Sequence, residues 1–214
     1  MDTADLRSVI YLDIETWSGT TPLMGDIKAP ANYKDPAKIL QYQKDNHDKE
    51  WRKQSLDAHK GEVFCVGLAI DDNEPFCLVG EAGIDEKGVL EQLDKELQNY
   101  SYPTIVGHNL LDFDALWLFY KGLKYRLANV VNAFSNKSSL RDTMKMMDGP
   151  SWKTMVSLDK MCTLLGFEGK GDISGADVHD LIKSGQGNKV CTYCISDVSL
   201  LRQCYKELSK YGLA

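Results

Sequence analysis

Between Val9 and Thr16 the chain reads Val-Ile-Tyr-Leu-Asp-Ile-Glu-Thr, and few placements suit such a segment. Its β-branched and large apolar residues predict a buried strand. Alternation along a strand puts Val9, Tyr11, Asp13 and Glu15 on one face and Ile10, Leu12 and Ile14 on the other. Asp13 and Glu15 therefore stand side by side. Two adjacent anions repel, and one stays protonated unless a cation lies between them. A hard divalent ion with oxygen ligands is the natural partner. The same letters also fit an ordinary strand whose acids have passed the sheet edge into solvent.

A length of 214 residues and 43% hydrophobic content suit one soluble domain with a sizeable core. No run reaches transmembrane length, and the start of the chain, Met1 to Asp5, lacks the basic-then-apolar character of a signal peptide. A cytosolic protein with no membrane partner is expected. The six cysteines, Cys65, Cys77, Cys162, Cys191, Cys194 and Cys204, sit mostly in apolar surroundings, which suits reduced core thiols better than a disulfide framework. A net charge of −6 argues against a broad basic surface, but the charge is unevenly spread. Residues 61–120 carry 2 basic and 12 acidic side chains, residues 121–170 carry 9 and 4, and residues 28–60 carry 8 and 5. Two positive segments flanking an acidic one fit a nucleic-acid path beside an acidic site, and fit plain solvated faces equally.

Along the chain, Ser18 to Asn32 reads as a loop. Asp35-Pro36 predicts a capped helix start, with a polar helix from Ala37 to about Ala58. Val63–Ile70 and Phe76–Val79 predict a hairpin, and Asp85 to about Tyr100 a helix. Thr104 to Gly107 is a short strand, followed by Asn109 as N-cap and a helix from Phe113 to Tyr120. Residues 121–156 are less regular, with a strand around Ser139 to Thr143 and Trp152-Lys153-Thr154 in a loop. Ser157 caps a helix through Leu165. A Gly-rich loop, Gly166 to Gly175, leads to short and long helices at Asp177 to Lys183 and Asn188 to about Lys210. No repeat or flexible linker divides the chain, so one α/β domain with a mixed sheet is expected.

The last helix carries an apolar stripe, Val190, Cys194, Val198, Leu201, Tyr205 and Leu208, with Tyr193 and Asp197 one turn apart beside it. A carboxylate facing the fold there needs a cation, an arginine or hydrogen-bond donors. A third acidic segment is Gly107-His108-Asn109-Leu110-Leu111-Asp112-Phe113-Asp114, where capping or the helix dipole also accounts for each acid taken singly.

In order and type, Asp13-x-Glu15, Asn109-x-x-x-Phe113-Asp114 and Tyr193-x-x-x-Asp197 resemble the three exonuclease motifs of the DEDD superfamily of 3′-to-5′ exonucleases. The likeness is to the proofreading domain of family B DNA polymerases and its stand-alone bacterial and phage relatives. Ser157-Leu158-Asp159-Lys160 through Leu165-Gly166, Gly169-Lys170-Gly171-Asp172 and Asp177-Val178 also look like the segment before the third motif. A second branch of the superfamily has histidine where this chain has Thr192, so the chain resembles the tyrosine branch. The resemblance covers about residues 8 to 210. It implies a single exonuclease domain over 1–214 with a helical insertion at about 18–60, and a ribonuclease H-like mixed sheet flanked by helices.

The resemblance further implies removal of nucleotides from the 3′ end of DNA, preferentially single-stranded, with an exoribonuclease or a non-catalytic nucleic-acid-binding or polymerase-associated subunit as alternatives. Hydrolysis would use two Mg²⁺ ions, with Mn²⁺ as substitute, one activating water and one stabilising the leaving oxygen. Asp13, Glu15 and Asp197 would hold the first ion. Asp13 would bridge to the second, supported by Asp114. Tyr193 would orient the water, since a phenol with an ordinary pKa of about 10 is a poor base at neutral pH. Thr16, Trp17, Asn109 and Phe113 are candidate contacts to the terminal nucleotide, with packing or capping as competing roles. Cys191-x-x-Cys194 has metal spacing but no second pair in the sequence, and His108 is expected to be structural. Partners would be DNA 3′ ends and, for proofreading in trans, a DNA polymerase or replication protein.

Overall fold

Five strands build one sheet, in the order β3-β2-β1-β4-β5. They are β1 (Val9–Trp17), β2 (Glu62–Ile70), β3 (Phe76–Val79), β4 (Thr104–Gly107) and β5 (Leu140–Asp142). The computed structural model describes residues 8–81, 84–148, 155–169 and 171–213. Strand β4 runs parallel to β1 and β5, whereas β2 and β3 are an antiparallel hairpin, so the sheet is mixed. The eight α-helices described are α1 (Pro36–Lys53), α2 (Glu86–Leu97), α3 (Asp114–Tyr125), α4 (Ala128–Ser135), α5 (Thr143–Met146), α6 (Leu158–Leu165), α7 (Val178–Lys183) and α8 (Gly187–Ser209). Among the described residues no helix is long and apolar enough to cross a membrane.

The chain divides into two compact units, Met1–Glu15 with Val63–Ala214, and Thr16–Glu62. In the first, the stripe of α8 covers the centre of the sheet: Val198 and Leu201 pack on Tyr11, Ala69 and Val106. Helix α6 then packs on α8 through Leu158, Met161 and Cys162 against Leu200, Cys204 and Leu208. The approach of α8 to β2 requires Gly67, because a Cβ there would lie 2.7 Å from Cys194 Sγ and 2.9 Å from Val198 Cγ2.

A buried charge pair also holds this unit together. Glu86, at the start of α2, accepts from Val63 N at 2.9 Å and from Tyr125 OH at 2.6 Å, and pairs with buried Lys121 at 2.7 Å. Burial works against the Glu86 charge, but the hydrogen bonds from Lys121, Tyr125, Lys124 and Val63 outweigh it and hold the carboxyl below its ordinary range.

In the second unit Asp35 caps α1, accepting from Ala37 N at 2.9 Å, with Pro36 in the first turn. No residue of α1 is buried, as its polar sequence requires. The helix stops at Lys53 and continues as a 3-10 turn over Gln54–Leu56, short of the expected Ala58. Ser55 accounts for this, since its hydroxyl donates to the Arg52 carbonyl at 2.8 Å and competes with the helical pattern.

Two further expectations change. Asn109 is not an N-cap: it sits in the left-handed region at φ 61°, and α3 starts only after Phe113. Helices α4 and α5 occupy the segment expected to be irregular. The start of α4 has no local side-chain cap; Asp94 of α2 accepts from Asn129 N at 2.9 Å and Val130 N at 3.1 Å instead. Trp152-Lys153-Thr154 lies outside the described residues.

Candidate active site

Beyond Tyr11, β1 outruns the pairs it makes with β4, and its last turn of backbone becomes available to side chains. Asp114 takes that opportunity, its Oδ1 accepting from Ile14 N at 3.0 Å. The first residue of α3 is thereby tied between the two acids of β1. Asp13 is half-buried, and Glu15 and Asp114 are buried. Burial, then the negative charge of Asp13, push the Asp114 carboxyl well above the usual carboxylate range, against the hydrogen bond from Ile14 and with a smaller contribution from Asp142.

Helix α8 brings the remaining groups. Asp197 is buried and Tyr193, one turn earlier, is half-buried. Between them Cys194 lies against β1, its Sγ 3.5 Å from the Asp13 carbonyl oxygen and 3.6 Å from Asp13 Oδ2. The ligating atoms of Asp13, Glu15 and Cys194 all fall within 4.8 Å of one another. Asp13, Glu15, Asp114, Tyr193 and Asp197 line a single pocket of about 280 Å³, together with Asn109 and Phe113. Four carboxylates sharing so small a space cannot all stay ionised without a cation, and their hard oxygen donors suit a divalent ion of the Mg²⁺ type.

The turn carrying Asn109 and Phe113 is organised by a residue that sequence reasoning missed. Asp142, buried at the end of β5, accepts from Asn109 N, Leu111 N and Met144 N, each at 3.0 Å. Asn109 O then accepts from Phe113 N at 3.0 Å, closing the turn immediately before Asp114. The signal for Asp142 was an acid at a strand end directly before a helical residue run, Leu140-Arg141-Asp142-Thr143. Asp112, by contrast, is exposed and pairs with Lys145 at 2.6 Å. His108 also lines the pocket, its ring nitrogens 3.0 Å from Thr143 Oγ1 and 2.8 Å from the Val156 carbonyl oxygen.

Thr16 and Trp17 belong to the second unit and serve its packing. The Thr16 hydroxyl donates to the Ser55 carbonyl at 2.7 Å, and buried Trp17 meets Trp51 edge-on with ring centroids 5.6 Å apart.

A family model described as a predicted 3′-5′ exonuclease related to the exonuclease domain of PolB matches residues 63–201. That range contains Asp114, Tyr193 and Asp197, while Asp13 and Glu15 precede it. Among solved structures, the family B DNA polymerase from the hyperthermophilic archaeon Pyrobaculum calidifontis is similar, with a TM-score of 0.60 and 14% identity over 97% of this chain and 25% of the polymerase chain. The chain thus spans about a quarter of that polymerase. At such identity the likeness shows the fold, a mixed α/β sheet of the ribonuclease H-like kind. No curated protein matches the chain.

Proposed function

Because the chain belongs to the family of predicted 3′-5′ exonucleases related to the exonuclease domain of PolB, we propose that it releases nucleoside monophosphates from the 3′ end of DNA, single strands by preference, in a reaction dependent on Mg²⁺ or Mn²⁺. The observation that carries this reading is the meeting of Asp13, Glu15, Asp114, Tyr193 and Asp197, from three separate elements, in one pocket. Asp13, Glu15 and Asp197 are the residues to hold a first ion, and Asp13 with Asp114 a second. Bound there, such ions supply charge neutralisation for the attacking and leaving oxygens of an in-line displacement.

The chain's own groups then position the reactants. The Tyr193 hydroxyl orients the attacking water by hydrogen bonding, within one helical turn of Asp197. Asn109 offers an amide and Phe113 a ring face to the terminal nucleotide. Cys194 packs against Asp13 and keeps bulk water from that side of the carboxylate. A DNA polymerase or replication protein acting alongside is the partner this chemistry suits.

Single-stranded DNA and RNA oligonucleotides labelled at the 5′ or 3′ end, incubated with Mg²⁺ or with chelator, test the proposal. The expected result is a descending ladder that keeps the 5′ label on DNA and vanishes with chelator. Asp13→Ala and Asp197→Ala abolish digestion with folding intact, and Tyr193→Phe slows it less. Full activity in purified Asp13→Ala protein sinks the assignment, and faster ladders on RNA move the enzyme to the ribonucleases.

A further inference from the structure

The six cysteines do not all behave as isolated core thiols. Cys162 and Cys204 pack as core thiols, their sulfurs 3.5 Å apart inside an apolar cluster with Leu158, Met161 and Leu208. Cys65, Cys77 and Cys191 are different, because their sulfurs all lie within 4.8 Å of one another although they come from three elements. Hairpin register explains the first two. Cys65 pairs with Val79 and Gly67 with Cys77, so Cys65 and Cys77 are diagonal neighbours on one face of the sheet. Gly67 occupies the intervening corner, and its missing side chain lets α8 settle there, within 2.7 Å of a Cβ position by Cys194 Sγ. Three residues apart on that helix, Cys191 and Cys194 share the face that meets the hairpin. Cys194 Sγ reaches the hairpin at Gly67, the residue paired with Cys77, where it would lie 2.7 Å from a Cβ. The pair that Cys191-x-x-Cys194 lacks in sequence is thus supplied across the hairpin.

We propose that Cys65, Cys77, Cys191 and Cys194 form a thiolate site for a soft divalent ion, Zn²⁺, which abuts the carboxylate site through Cys194, whose Sγ lies 3.6 Å from Asp13 Oδ2. Tetrahedral zinc bonded to sulfur at about 2.3 Å needs sulfurs roughly 3.8 Å apart, and those of Cys65, Cys77 and Cys191 already lie within 4.8 Å of one another. Thiolates favour zinc over magnesium, which keeps the two sites chemically distinct. Cys65 is buried while Cys77 and Cys191 are half-buried, so the site has a solvent side for loading. Its effect is a staple: the four-residue edge strand β3 becomes fixed to α8, and α8 carries Tyr193 and Asp197.

The test is Zn²⁺ and Co²⁺ binding to the full-length chain kept reduced. Purified protein is expected to retain about one zinc per chain, and cobalt substitution to give the intense sulfur-to-metal charge-transfer bands and visible bands of tetrahedral thiolate coordination. Loss of a group that only hydrogen-bonds to a metal ligand already costs roughly 10–100-fold in affinity, so Cys77→Ser and Cys191→Ser, both at half-exposed positions, are expected to weaken zinc binding on the order of a hundredfold or more. Circular dichroism verifies that these variants fold. Asp114→Asn, in the carboxylate pocket, keeps the charge-transfer bands. Reduced protein without those bands overturns the proposal, and so do folded Cys77→Ser and Cys191→Ser chains that bind zinc as the unmodified chain does. None of these readouts depends on nuclease activity, so failure here leaves the exonuclease proposal standing, and loss of nuclease activity leaves this one standing.

Discussion

Asp114 sets stability against function more sharply than any other residue of the site. Its buried carboxyl has a pKa raised above the ordinary 3.8, first by burial and then by Asp13. Below the ordinary value the group is protonated in both folded and unfolded chains and costs nothing. As pH rises from the ordinary value toward the raised one, the unfolded chain gives up its proton while the folded chain keeps it, and stability is lost across that window. Asp114→Asn removes that loss and keeps an oxygen to accept from Ile14 N. Thermal melts in chelator are therefore expected to show Asp114→Asn above the unmodified chain at pH 8 and level with it near pH 4, while its nuclease activity falls to background. A variant that melts lower at pH 8 in chelator refutes the electrostatic account. Asp142 acts through its hydrogen bonds instead, accepting from three backbone donors. Asp142→Ala leaves the buried Met144 donor and the donors of Asn109 and Leu111 without their acceptor, a cost of about 3 kcal/mol in urea titration, and activity drops because the turn before Asp114 loosens. Asp142→Asn retains one acceptor oxygen and is expected to fall between the two.

At the level of elements, the position of α8 decides whether the site exists. It rests on Gly67, where any side chain meets Cys194 and Val198. Gly67→Ala is expected to cost about 1–3 kcal/mol by overpacking and to lower kcat by moving Tyr193 and Asp197 away from β1. Denaturant melts and single-turnover rates check the two effects separately; a stable variant with unchanged kcat shows that α8 tolerates the shift. The stripe of α8 was legible in the sequence because a helical period is local, as were the caps Asp35 and Ser157, each accepting a hydrogen bond from within its own first turn. The pocket acids were legible for the same reason, since strand alternation and one-turn spacing put each into a short motif. Helix α4 was not, because its cap is Asp94 on another helix, and the Asn109 turn was not, because its acceptor is Asp142 on another strand. The cysteine cluster escaped for want of hairpin register: nothing local relates Cys65 to Cys77, or either to Cys191.

Across the whole molecule, a net charge of −6 coexists with a proposed polyanionic substrate, and the distribution of charge has to reconcile the two. Helix α1 is the clearest source of positive charge that folding does not consume. None of its residues is buried, and two of the pairs it makes are local: Arg52 with Asp48 at 2.6 Å and Lys53 with Glu50 at 2.5 Å. Exposed pairs of this type are worth roughly 0–1 kcal/mol, so a phosphate can displace the carboxylate at little cost. If Lys49, Arg52 and Lys53 contact the single strand, each contact releases a bound counterion, and binding weakens with salt in proportion to their number. Changing all three to Gln should then weaken binding of a single-stranded oligonucleotide and reduce the slope of log K against log salt by up to about 0.7 per contact, roughly 2 in total. The melting temperature should barely move, since no packing is lost. Fluorescence anisotropy over a salt series with Ca²⁺ in place of Mg²⁺, to restrain cleavage, measures the slope directly. A slope identical to that of the unmodified chain would leave α1 as scaffold or protein-binding surface, and the counter-charge for the strand would have to come from the 9 basic side chains of residues 121–170.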